Sequence, residues 1–246
     1  MKQEELNKIL EEHKIWLESN GKEGKQADLS GANFENANLR KANLREADLE
    51  DANFENANLK KANLEGANME GANLRSADLT KAFLQEADLT NAILQYADLK
   101  GANLEYLELQ GANLTGANLR GSWLAYADLK GANLYNANLQ DADLRATYLE
   151  GANLQGAILY NADLESTKLQ GANLSGLDLR GSWLLNAKLT NATLKNTKLQ
   201  GAILQGAKLQ DADLQDADLK GARVCEKNYN YLISQGIKKD DLILEE

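Results

Sequence analysis

The sequence contains no proline, one cysteine, one histidine and only fourteen aromatic side chains (three Phe, three Trp, eight Tyr) in 246 residues. Each shortage excludes something. One Cys cannot close an internal disulfide, and one Cys with one His cannot build a four-ligand structural zinc site. Hydroxyl nucleophiles lack an obvious general base, because the only imidazole, His13, sits near the N-terminus. No apolar run approaches the roughly 18 residues of a membrane span. Met1-Lys2-Gln3-Glu4-Glu5 lacks the charged-then-apolar layout of a secretory leader, so the expected location is cytoplasmic. Basic residues are the scarcer sign: 27 Lys and Arg against 37 Asp and Glu leave a net charge of −10. That balance argues against non-specific nucleic-acid binding by the chain as a whole. No phosphate loop, metal cluster or isolated carboxylate pair stands out, so no cofactor, no metal and no catalytic residue is expected.

What the sequence does have is a period of five. From Ala27 to Val224 an apolar residue falls at every number ending in 4 or 9, forty consecutive times without an insertion. Thirty-six of these are Leu; the others are Phe34, Phe54, Met69 and Val224. Two residues before each sits a small residue, Ala in 33 cases, and Asn or Asp usually lies between. A helix needs apolar spacing of three and four, and a flat strand needs strict alternation, so neither fits. The unit alternates inward for three residues and then turns. A second period counts the units in one coil. Residues 32–39 recur unchanged at 52–59, Lys168, Lys188 and Lys208 are spaced by 20, and Gly121-Ser-Trp-Leu124 recurs at 181–184. Four units per 20-residue coil is the natural reading, with like residues stacked between neighbouring coils.

The Ala-(Asp/Asn)-Leu-x-x pattern over residues 27–224 resembles the pentapeptide-repeat family, and the stretch Glu12 to Gly21 resembles a leader often found before bacterial arrays. The resemblance implies an all-β solenoid: a right-handed quadrilateral β-helix of about ten coils, roughly 48 Å long at the usual strand spacing. Leu would fill the bore and Ala the inner corners. Asn and Asp would bond nearby backbone at the turns. The lack of proline fits a chain in which nearly every amide has a ladder partner.

The ends have another rhythm. Leu6, Ile9, Leu10, His13, Trp16 and Leu17 mark one face of a helix, stopped at Asn20-Gly21, and residues 1–26 read as an N-terminal helical cap with its connection. His13 on that face reads as packed. Residues 225–246 read as a C-terminal cap or dimerisation segment, with a short helix near Asn228–Gln235 stopped by Gly236 and an apolar Leu242–Leu244. Nothing beside Cys225 in the sequence argues for an activated thiol.

The 20-residue coil sorts the outward residues into four sides. The side centred on Leu44, Leu64 and Leu84 carries Phe83, Tyr106, Trp123, Tyr126, Trp183, Leu185 and Ile203, with Ala125 among them. The core does not need outward Trp, and contiguous apolar surface with Trp and Tyr marks an interaction face. The side centred on Leu29 and Leu49 is acidic, with Asp28, Asp48, Glu50, Asp51, Glu70, Asp88, Glu108 and Asp128, offset towards the C-terminus by lysines. The opposite side is basic, and the fourth is mostly Asn and Gly.

Three functions follow. The first is a non-catalytic scaffold that presents the aromatic side to a protein partner, as a monomer or a C-terminal homodimer. The second rests on the resemblance: some family members mimic DNA and bind type II topoisomerases (DNA gyrase or topoisomerase IV), giving drug or toxin resistance, and here the acidic side would carry that role. The third is a structural repeat protein without a fixed partner. No direct nucleic-acid or membrane contact is expected.

Overall fold

The computed structural model describes residues 3–245; Met1, Lys2 and Glu246, counted above among the terminal segments, lie outside the described residues. The first element is helix α1 (Gln3–Glu18). From Asp28 to Arg223 the backbone pairs in parallel with itself, and every pair joins residues 20 apart, as in Asp28 with Asp48, Asn33 with Asn53 and Asn38 with Asn58. One coil is therefore 20 residues, and each short side is centred on a number ending in 3 or 8, one residue before the Leu on which the sequence pattern centres it.

One repeat, Ala52 to Asn56, shows why the unit is five residues long. Ala52 N–H closes a turn onto Leu49 O, at 3.0 Å. Asn53 N–H donates down to Ala32 O, while Phe54 and Asn56 donate up to Asn73 O and Arg75 O, at 2.6–2.9 Å. The remaining donor, Glu55 N–H, bonds the Asn53 side chain two residues back at 3.1 Å. All five amides are satisfied, and the Asn carboxamide supplies the acceptor the backbone lacks. That is the physical reason for Asn or Asp at the middle position and for the absence of proline.

The corner has its own requirement. Every residue whose number ends in 1 or 6, from Gly31 to Gly221, has a φ between 54° and 73°. This left-handed residue lies third in the four-residue turn that Phe54 O closes with Ala57 N–H. Sixteen of the nineteen glycines stand at such corners. The sequence reading counted these positions only as outward-facing and missed their backbone demand. The signal was present as glycine recurring at one phase of the repeat.

The inward Leu column is sealed: Leu44, Leu64, Leu84 and Leu124 have no exposed surface. Each buried Leu contributes about 1.5–3 kcal/mol before entropy. Where Ala gives way to Ser or Thr, the hydroxyl finds a carbonyl. Ser122 Oγ donates to Leu119 O at 2.6 Å, and Thr147 Oγ1 to Leu144 O at 2.6 Å.

Helix α1 lies against the first coil. Leu6 and His13 are buried, and Asn20 and Gly21 end the helix with positive φ. His13 ties the two together: Ala27 N–H donates to Nδ1 at 3.1 Å, and Nε2 donates to Arg45 O at 2.8 Å. At the other end, strand β1 (Ala222–Val224) is followed by helix α2 (Glu226–Ser234), a 3-10 turn at Lys239–Asp241 and strand β2 (Leu242–Leu244). Helix α2 begins two residues before the sequence-based estimate, and Gly236 follows it at φ 89°. Strand β2 pairs in parallel with β1, Ala222 opposite Leu242, so the chain rejoins the ladder 20 residues later. Asn228 Nδ2 donates to Leu204 O and Ala207 O, satisfying carbonyls at the open edge, while Leu232 fills the bore above them.

Candidate interaction surfaces

The ladder fixes which outward residues share a column. On the aromatic side the column reads Phe83, Asn103, Trp123, Asp143, Asp163, Trp183, Ile203, Arg223. Trp123 and Trp183 are each 55% exposed, and Phe83 is also exposed; Ile203 and Leu185 are half-buried. Asn103, between Phe83 and Trp123 in the ladder, is only 9% exposed. Tyr106 and Tyr126 occupy adjacent corners and stack with centroids 5.0 Å apart and planes 4° apart.

The seven sequence-chosen residues therefore form two clusters. Phe83, Trp123 and the tyrosine pair make one; Trp183, Leu185 and Ile203 make the other. Three coils, roughly 14 Å, separate the two tryptophans. Asp143 and Asp163 fill the gap, with Arg145 bonded to both Asp143 oxygens at 2.6 and 2.9 Å. Burial, reinforced by the Asp143 charge, raises the Asp163 carboxyl above the usual range. Ala125 lies between the rings but is buried.

Phe83, Trp123 and Trp183 also occupy the middle position, where Asn or Asp would accept the amide two residues on. Their side chains offer no acceptor. Tyr106 and Tyr126 sit at φ 59° and 64°, a region bulky residues rarely adopt. All five aromatics thus stand where the repeat alone would favour another residue.

The acidic side has a column that changes sign along its length: Asp28, Asp48, Asn68, Asp88, Glu108, Asp128, Tyr148, Lys168, Lys188, Lys208. Glu50 and Glu70 stand in the neighbouring column, and Asp51 at a corner where its carboxylate covers Gly71. Tyr148 marks the change of sign and lies between two ammonium groups. Lys168 Nζ is 3.4 Å and Lys130 Nζ 4.5 Å from the ring centre. Lys130 also bonds Asp128 at 3.0 Å, which raises its pKa.

Several apolar groups escaped the sequence reading. Tyr96, Ile93 and Tyr135 are exposed on the side read as Asn and Gly, and Tyr96 lies over Gly116 in the next coil. Ile158 and Tyr160 are exposed on the basic side, with Arg180 over the Tyr160 ring at 5.5 Å. The sequence reading of Cys225 needs correction. Burial raises its pKa, but amides of Gly206, Asn228 and Lys227 turned towards the sulfur outweigh it and leave the thiol below its ordinary value. These donors come from the preceding coil and the start of α2, so adjacent sequence could not reveal all of them. Among the described residues no group of His, Cys, Asp and Glu is arranged to hold a metal ion, and no helix is long and apolar enough to cross a membrane.

The family model for pentapeptide repeats matches in eight copies, covering residues 27–182 and 187–223. Among solved structures, HetL is 37% identical over 85% of this chain and 94% of its own, with a TM-score of 0.53. HetL is a pentapeptide repeat protein involved in heterocyst differentiation regulation from the cyanobacterium Nostoc sp. strain PCC 7120. The pentapeptide repeat protein alr5209 from Nostoc PCC 7120 is 45% identical over 37% of this chain and 69% of its own, with a TM-score of 0.31. QnrB1, a plasmid-mediated fluoroquinolone resistance protein, is 20% identical over 83% of this chain and 96% of its own, with a TM-score of 0.43. No curated protein sequence matches the chain. The 20-residue coil, the five-residue corner and these matches together establish that the chain belongs to the pentapeptide-repeat family, whose members are right-handed quadrilateral β-helices.

Proposed function

We propose that this protein is a non-catalytic scaffold that binds a protein partner through its aromatic side, with Trp123 and Trp183 as anchors. In this reading residues 27–224 form a rod of about ten coils, residues 1–26 and 225–246 close its ends, and the protein works in the cytoplasm. One observation carries the proposal. The exposed rings replace the residue that the turn requires, at a cost to the fold, and they do so repeatedly on one side. Trp and Tyr are favoured at interface hot spots because they bring large, rigid contact area. The regulatory description of HetL supports a partner-binding role over a purely structural one.

The test substitutes the repeat's own residue. The double variant Trp123→Asn, Trp183→Asn restores the turn acceptor at two middle positions, each worth about 0.5–1.5 kcal/mol. Its melting temperature should equal or exceed that of the wild type, and proteins captured by immobilised wild type should no longer be retained. Retained capture would sink the assignment. A clear fall in melting temperature would mean that the rings serve the fold.

The DNA-mimic reading draws on the acidic column from Asp28 to Asp128 and on Glu50, Asp51 and Glu70. Lys168, Lys188 and Lys208 interrupt that charge in the same column. A gyrase supercoiling assay, with and without a quinolone, decides it. Inhibition or drug protection that weakens in Asp48→Asn, Asp88→Asn would promote it over the scaffold reading.

A further inference from the structure

We propose that the acidic side is a self-association surface, and that its occupant is a second copy of this chain docked antiparallel about a two-fold axis at Tyr148. The column turns from acid to lysine at one residue, and it does so along one continuous ladder. If two rods meet face to face with the axis lying across the ladder, the column of one faces the same column of the other, reversed. With Tyr148 opposite its own copy, Asp128 faces Lys168, Glu108 faces Lys188 and Asp88 faces Lys208. Each pair occurs twice, so six ion pairs form and none of the facing charges in this column is alike; in the neighbouring column Glu150 faces its own copy, a like pair offset by the Lys130 that interacts with it in each chain.

Two further features fit this register. Among the described residues, neither Lys188 nor Lys208 has an ion pair within its own chain, and both are exposed. Within one rod these lysines stack on one another at about 4.8 Å and repel, as do Asp88, Glu108 and Asp128, so each chain is left with segregated charge that a second copy neutralises. The corner column beside the ladder reads Gly111, Gly131, Gly151, Gly171, four coils in succession without a side chain. No other corner has four consecutive glycines. Under the same axis Gly151 faces itself and Gly131 faces Gly171, so the backbones approach closely along that edge.

The overlap spans seven coils, from the level of Asp88 to that of Lys208, a strip roughly 34 Å long and one side wide. Such an area belongs with small, transient interfaces, so the dimer is weak and salt-sensitive. The axis also leaves the aromatic sides of both copies on the same flank of the pair. This geometry is independent of the scaffold reading, which concerns a different side.

Sedimentation velocity of the full chain, from low micromolar to several hundred micromolar, tests the proposal. At low ionic strength a monomer–dimer equilibrium is expected, and half-molar salt should weaken it at least tenfold. Lys188→Glu places like charges opposite each other twice and should abolish the dimer. Adding Glu108→Lys to that variant restores opposite charges and should bring the dimer back. Tyr148→Cys in a Cys225→Ser background should cross-link two chains on oxidation, whereas Asp48→Cys in the same background should not. A monomer at every concentration, a dimer indifferent to Lys188→Glu, or assembly growing past two copies would overturn the proposal. Circular dichroism of each variant separates lost association from lost folding.

Discussion

A corner residue in this fold answers two demands at once, since its side chain faces solvent while its backbone must be left-handed. Ala146 meets the second demand poorly, at φ 55° with a Cβ and no polar group to offset it. Ala146→Gly should therefore stabilise the protein by about 1 kcal/mol, against the usual penalty for glycine. A rise in melting temperature checks this; a fall would mean that the corner is unstrained. His13 is the other residue whose chemistry is dictated locally. It must be neutral, because Nδ1 accepts from Ala27 N–H while Nε2 donates to Arg45 O. Burial is the largest influence and lowers its pKa below the ordinary value. The folded chain thus binds fewer protons than the unfolded chain just below about pH 6.5. Stability is fully present above that pH and falls as pH drops through it towards the folded-state value. Thermal melts between pH 7.5 and 5.5 should show this loss, and His13→Phe should flatten it. An unchanged slope in the variant would assign the loss to other groups.

At the scale of the element, the repeat turns one side-chain choice into a column. Leu124 is sealed in the bore, and Leu124→Ala should cost about 2–5 kcal/mol, whereas Leu124→Asp should prevent folding. Native circular dichroism from the Asp variant would refute the inward assignment. This much was legible in the sequence, because burial imposes a period and the period is visible in Leu and Ala. The Asn register was legible too, since the side chain that satisfies Glu55 N–H recurs with every turn. The left-handed corner was harder to see: glycine recurs at that phase, but Asn, Asp, Lys and Tyr share the position, and glycine marks fewer than half of the corners. The division of the aromatic side was hidden for another reason. The column assignment places Asp143 and Asp163 between the tryptophans, but only the folded side chains show Arg145 joining them. The return of Leu242–Leu244 to the ladder was invisible because no repeat leads up to it. Its pairing depends on α2 and the following turn spanning one coil's length of chain.

For the whole molecule, the consequence of a four-sided repeat is that stability and surface obey different periods. The bore sees only a five-residue unit, because nearly every side contributes one Leu and one small residue. The outward columns see 20 residues, because like positions return only after four corners. Deleting residues 132–136 removes one unit, so the bore and the corners are preserved, and each coil contacts only its neighbours. The variant should melt cooperatively with β-rich circular dichroism. Yet every downstream residue moves by one side: Lys168, Lys188 and Lys208 continue the column of Phe83 and Trp123, and Trp183 joins the basic side. Deleting residues 52–71 removes a whole coil outside the aromatic clusters and the Asp88–Lys208 strip and leaves every column in place. If sides are interchangeable to the core and distinct only to partners, both deletions fold, but the five-residue deletion alone loses salt-sensitive self-association and partner capture. Failure of the five-residue deletion to fold, with the 20-residue deletion folding, would show instead that the four sides are specialised for the core as well.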